Sequence, residues 1–221
     1  MELEKTFIEL FGLKILEPVT TATDLLVSAV CFYAFLNIHK STKRGRIFFL
    51  FKYYFLSMGI ATAYGGIIGH ALLYLFSFEW KIPGWIISMF SIALIERATI
   101  MHAMPLLKPT IGNFFSVLNI LEFIILVCIV LYTLNFFFVE THAFYGLMIV
   151  VASFELYVFL KTKDSGSRIL LYAVFISAVA ATVHLTKFSP HQWFNYLDLS
   201  HVLMALAAYA FYRGIMTLRL N

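Results

Sequence analysis

Charge is scarce in this chain. Only 13% of its 221 residues are charged and 62% are hydrophobic, where a soluble domain carries about 25% charged residues and is about half apolar. A soluble fold would have almost nothing polar to cover its surface. Cysteine is scarce too. Cys31 and Cys128 each fall inside an apolar run, which argues against a disulfide framework and against a C-x-x-C metal motif. The alternating ten-residue segments of a transmembrane β-barrel are missing. Long linkers, low-complexity stretches and clear internal repeats are also missing. The opening stretch Met1–Lys14 is acidic where a cleavable signal peptide would be basic. The net charge of +4 needs no nucleic acid to explain it, because basic loops are the usual topogenic signal of membrane proteins.

Long apolar runs are abundant. A helix needs about 20 apolar residues to cross a bilayer, and seven such runs are present, at 19–38, 47–76, 84–105, 111–134, 141–160, 169–187 and 194–213. The expected fold is an all-α integral membrane protein, a seven-helix bundle forming one domain over residues 1–221. Phe7, Ile8, Leu10, Phe11 and Leu13 mark 1–17 as a candidate interfacial helix. Lys40, Lys43, Arg44, Arg46, Lys108, Lys161, Lys163, Arg168, Arg213 and Arg219 fall on one side of the spans, and Lys5, Lys14, Lys81 and Lys187 on the other. The positive-inside rule then places the N-terminus outside and the C-terminus in the cytoplasm, as expected for a multi-pass plasma or inner-membrane protein. Trp80, Trp85 and Trp193 all fall at expected outer boundaries, where tryptophan anchors helices.

Depth follows from position at about 1.5 Å per residue. Asp24, His70, His184, Asp198 and His201, on four spans, come within roughly 10 Å of one level in the outer third of the bilayer. Ionisable groups in hydrocarbon are costly and mark sites, partners or cavities. Asp198 and His201 are three apart and share a helix face, and Gly66 and Gly69 leave room beside His70. Asn195, Tyr196 and Ser200 could support the site by hydrogen bonds. Two or three imidazoles with a carboxylate make a candidate zinc set: His70, His201, His184 and Asp198 as ligands, with Asp24 or Asp198 as the acid–base group. The alternative is a set of interhelical hydrogen bonds that only fixes packing.

A second polar layer, deeper in the chain's spans, holds Glu96, Arg97, His102, Asn119, Glu122 and Glu155. Arg97 is expected to pair with Glu122 or Glu155 in a buried ion-pair network, or the layer serves as an ion or proton path. His142, at the start of its run, is expected to face the headgroups.

The stretch Tyr64-Gly65-Gly66-Ile67-Ile68-Gly69-His70 near the end of the second span, with Asp198-x-x-His201 near the start of the seventh, resembles the CREST superfamily of seven-helix membrane proteins. That superfamily includes the alkaline ceramidases and the adiponectin and progestin receptors. The resemblance implies zinc held by His70 and His201 and hydrolysis of a lipid amide by activated water inside the bundle. It also has gaps. Gly66 stands where the family has a serine, Leu197 and Ala205 stand where it has a second histidine, and its aspartate near the third helix is nearest matched by Glu79. Membrane lipid is then the expected substrate or ligand. Two further classes stay open: a non-catalytic receptor-like, lipid-binding or ion-handling bundle, and a b-type haem protein ligated by His70 with His184 or His201. No lysine in the last span is available for a retinal Schiff base.

Overall fold

The computed structural model describes residues 6–219. The chain opens as an antiparallel hairpin of β1 (Phe7–Leu10) and β2 (Leu13–Leu16), pairing Phe7 with Leu16 and Leu10 with Leu13. Phe11 and Gly12 turn it with positive φ at both positions, 52° and 78°, the backbone of a two-residue hairpin turn. This replaces the interfacial helix expected over 1–17. The tight turn at Phe11–Gly12 breaks any helical face, and Lys14 Nζ lies 4.0 Å above the Phe7 ring across the two strands. Met1–Lys5, and with them Lys5, lie outside the described residues.

Seven helices follow, each long and apolar enough to cross a membrane: α1 (Pro18–Lys40), α2 (Arg46–Ala71), α3 (Ile82–Ala103), α4 (Pro109–Thr133), α5 (Phe137–Thr162), α6 (Ser165–Thr186) and α7 (Tyr196–Thr217). They coincide with the seven expected runs to within a few residues. Their boundaries follow from local chemistry. Pro18 and Pro109 occupy first-turn positions, where the missing N–H costs nothing. Asp164 caps α6 by accepting from Ser167 N at 2.8 Å. Asn195 and Asp198 form a capping box on α7. Two helices carry a π-helical stretch, Gly65–Ala71 at the end of α2 and Tyr145–Val151 within α5.

The short links place alternate helix ends together. The α1–α2 and α5–α6 links meet the end of α7, where Lys43 Nζ donates to Leu218 O at 2.7 Å and Arg219 N to Asp164 Oδ1 at 3.3 Å. This is the basic end. The hairpin, the α2–α3 and α4–α5 links and the start of α7 make the opposite end, tied there by Tyr64 donating to Trp80 O at 2.7 Å.

The main core lies between α1, α2, α3, α6 and α7, around Cys31, Phe51, Phe55, Ile95, Leu170 and Phe211. Two smaller cores fasten α3 to its neighbours. Ile100, Ala103 and Val158 join it to α5, and Met89, Val130 and Val139 join it to α4 and α5. Cys31 is buried, Cys128 is exposed, and both are unpaired. The α4 helix is the most apolar and the least enclosed of the seven, with Phe114, Val117, Leu121, Ile124 and Ile125 on the outside of the bundle.

Candidate functional site

Three of the five expected residues meet near the hairpin end, and Asp24 is at their centre. Its Oδ1 faces His201 Nε2 at 3.5 Å and its Oδ2 faces His70 Nε2 at 3.8 Å. The two rings stand 6.4 Å apart, centre to centre, at 73°. Backbone geometry makes the approach possible. A Cβ on Gly66 would lie 2.9 Å from Asp24 Cβ, so glycine is what lets α2 close on α1 at this level. The π-helical stretch carries both Gly66 and His70, and Thr21 donates its hydroxyl to Gly66 O at 3.2 Å. Such stretches in α-helices concentrate at functional sites.

Each ring has its other nitrogen committed. His70 donates from Nδ1 to Glu17 Oε2 at 3.1 Å. Glu17 sits at the start of α1 in the left-handed region, with φ 42° and ψ 55°, a conformation unfavourable for a residue with a Cβ. The surrounding contacts hold it there, including the bond from Glu17 N to Thr6 O at 2.8 Å. Thr23 gives its only hydroxyl proton to Thr20 O at 3.0 Å. The contact between Thr23 Oγ1 and His201 Nδ1 at 3.2 Å must therefore be donated by the imidazole. In the neutral rings both Nε2 atoms then carry lone pairs, and both face the same carboxylate. Three acceptors then face one another, an arrangement that a shared proton or a bound cation would relieve.

These donors match zinc in kind. Zinc ligands lie about 2.0–2.2 Å from the ion, which puts ligand atoms of a tetrahedral site about 3.3–3.6 Å apart. The two nitrogen–oxygen separations, 3.5 and 3.8 Å, run to the two different oxygens of Asp24. The three residues do not bring one ligand atom each within 4.8 Å of one another, so an ion here would require the side chains to draw together. A carboxylate and a hydroxyl on the far nitrogens of the two rings fix their tautomers, the usual support of a metal-binding histidine.

The other two expected residues have different partners. Asp198 accepts from Thr20 Oγ1 at 2.7 Å through Oδ1 and from Asn195 N at 2.7 Å through Oδ2. Both oxygens are held by helix capping and by the α1–α7 contact, so the structure does not turn Asp198 toward His70 as a ligand or acid–base group. His184 pairs through Nε2 with Glu140 at 2.8 Å and packs its ring 5.5 Å from Tyr196. That pair joins α5 to α6 instead of completing the His70–His201 set. Ser200 donates back to Tyr196 O and Leu197 O, at 2.8 and 2.9 Å, and gives the site no hydrogen bond.

The second layer also rearranges. Arg97 donates to Ser116 O instead of pairing with either expected acid. Glu155 takes His102, at 3.0 Å, and Glu122 takes His142, at 2.7 Å. His142 is wholly buried, where a position facing the headgroups was expected. Among the described residues, the three ligand atoms that come within 4.8 Å of one another belong to Glu96, Glu122 and His142.

Sequence reasoning missed Glu17, Thr20 and Thr23. A signal was present in the run Thr20-Thr21-Ala22-Thr23-Asp24, three hydroxyls within one turn of a membrane aspartate. Glu140 was missed because it stands at a helix end, where acids are common.

A model described as a family of unknown function (DUF6962) matches residues 19–220, all seven helices, and the chain belongs to that family. No curated protein and no solved structure matches it.

Proposed function

We propose that this family member is a seven-span integral membrane protein, hairpin end outside and basic end in the cytoplasm, whose Asp24, His70 and His201 hold zinc for the hydrolysis of a lipid amide or ester. The membrane placement is supported by the apolar exterior of α4 and by the gathering of Lys40, Lys43, Arg44, Lys108, Lys161 and Lys163 in the last turns and links at the basic end.

The observation that carries the metal site is the convergence of two imidazole lone pairs on one buried carboxylate. His70 and His201 would hold the ion through Nε2, with Asp24 as the oxygen donor between them. Zinc bound there would supply Lewis acidity and bring the pKa of a bound water down toward neutrality. The chain's own residues do the rest. Glu17 and Thr23 fix the two ring tautomers, and Gly66 keeps Asp24 against α2. Thr20 holds Asp198 in its cap and so keeps the start of α7 in register with α1. His70 is partly exposed at the hairpin end, which gives water a route from outside, while lipid reaches the bundle from its apolar sides.

The test uses protein reconstituted in phospholipid vesicles and presented with fluorescent ceramide-type amides and acyl esters. Wild type should release fatty acid. His70→Ala, His201→Ala and Asp24→Asn should not, and chelation followed by zinc should remove and restore turnover. Hydrolysis that is indifferent to all three variants would overturn the assignment.

A non-catalytic reading, as a receptor-like, lipid-binding or ion-handling bundle, is favoured by one observation. Asp198, the acid nearest His201 in sequence, is held in a helix cap. That reading predicts no turnover of any lipid, with metal absent or with its removal leaving folding and partner binding intact.

A further inference from the structure

The second cluster carries chemistry of its own. We infer that Glu96, Glu122 and His142 form a separate divalent-cation site, a structural pin joining α3, α4 and α5 and independent of the Asp24–His70–His201 set. The contacts are few. His142 donates from Nε2 to Met89 O at 2.9 Å, which leaves Nδ1 directed at Glu122 Oε1, 2.7 Å away. A backbone carbonyl on the far nitrogen is a usual support of a ligating histidine. Asn119 donates to Ala93 O at 3.2 Å and to Glu96 Oε2 at 3.0 Å, which anchors that carboxylate through one oxygen.

An acidic cluster alone would carry nothing. Here the independent observation is a pair of unpartnered oxygens. Glu96 is wholly buried, and its Oε1 has no hydrogen-bond partner; Glu122 Oε2 has none either. Buried carboxylate oxygens are ordinarily satisfied, and in a bundle of this apolarity leaving them bare is costly. The backbone is shaped for the same place. Gly146, in the π-helical stretch of α5, has no Cβ, and one added there would collide with Glu96 Oε1 and Ile92 Cγ2. Glycine at this position is what lets α5 close on α3 beside Oε1.

Charge selects the ion. Two carboxylates and a neutral imidazole carry two negative charges, which a divalent cation neutralises and a monovalent one does not. Imidazole with carboxylates suits zinc, manganese or iron(II) ahead of calcium or magnesium. At 2.7 Å the His142–Glu122 contact holds a proton; the cation would displace it to solvent, as metal binding generally displaces protons from its ligands. The site also has a task. The α4 helix buries little apart from Gly112, Asn119 and Val130, and two of its polar side chains, Asn119 and Glu122, reach this cluster. A cation there would fasten the least enclosed helix to its neighbours.

The test is metal binding by the full chain in detergent, with Co²⁺ as a visible-absorption probe and Mn²⁺ followed by paramagnetic resonance. Stripped His70→Ala/His201→Ala protein should still bind about one equivalent, and binding should raise its melting temperature. Glu96→Gln and Glu122→Gln in that background should lose the equivalent and the shift. Should either variant fail to fold, the stripped His70→Ala single variant decides: the proposal requires that it still bind one equivalent. A double-histidine variant that binds none, or one whose binding survives Glu96→Gln and Glu122→Gln, overturns the pin. Neither result bears on the lipid hydrolase assay, whose readout is turnover and whose variants lie on α1, α2 and α7.

Discussion

The α1–α2–α7 cluster and the α3–α4–α5 cluster use the same side chains and the same backbone device. Each joins carboxylate to imidazole beside a π-helical stretch, and each relies on a glycine for close approach, Gly66 against Asp24 and Gly146 against Glu96. They differ in what is left unmatched. Around Asp24 the N–H groups of both rings are committed elsewhere and the contacts to the carboxylate are long, 3.5 and 3.8 Å. Around Glu122 the imidazole contact is short, 2.7 Å, while Glu122 Oε2 and Glu96 Oε1 have no hydrogen-bond partner. The first arrangement is partly exposed on its His70 side. The second is closed and suits a permanent occupant or a fixed proton. The proposed reactive site and the proposed structural pin thus occupy two places that a list of polar residues would not tell apart.

The difference can be broken at its stiffest point first. His142→Ala removes the only imidazole on Glu122 and leaves a carboxylate in the bundle, a loss expected to cost about 3–5 kcal/mol. Chemical unfolding in detergent should show this as a large drop, and a variant as stable as wild type would contradict the closed reading. Gly146→Ala comes next, at about 1–3 kcal/mol from overpacking. Gly69→Ala is its control, because a Cβ there meets nothing within 4 Å and stability should hold. Asp198→Ala removes the capping box and the Thr20 bond, a loss of about 0.5–2 kcal/mol. Metal content should not change in that variant, and a metal loss would return Asp198 to the ligand set. His184→Ala should matter least. Its pair with Glu140 is about one-third exposed on both sides, and such pairs contribute about 0–1 kcal/mol.

The number of long apolar helices, their approximate limits and the meeting of Asp24, His70 and His201 were legible in the sequence, because hydrophobic length and helical rise indicate them without knowledge of packing. His70 and His201 were legible for the same reason. Partner choice was not, since it depends on helix rotation and on which backbone groups remain unsatisfied. Asp198 reads as a ligand by depth, yet it lies in the first turn of α7, where free N–H groups take up its oxygens. His142 reads as a boundary residue when the fifth span begins at 141. The helix begins at Phe137, so His142 stands about 7.5 Å in and is buried against Met89 and Glu122. Arg97 has the right depth for Glu122 but faces Ser116. The hairpin over Phe7–Leu16 was hidden because its apolar residues satisfy either period over so short a stretch.

The most direct test of the Asp24–His70–His201 site is zinc content by mass spectrometry of detergent-purified wild type beside Asp24→Asn, His70→Ala, His201→Ala and His184→Ala. The account predicts that each of the first three variants loses one equivalent relative to wild type, and that His184→Ala keeps the full complement. Folded wild type without zinc would contradict it, as would a loss that follows His184 and spares His201.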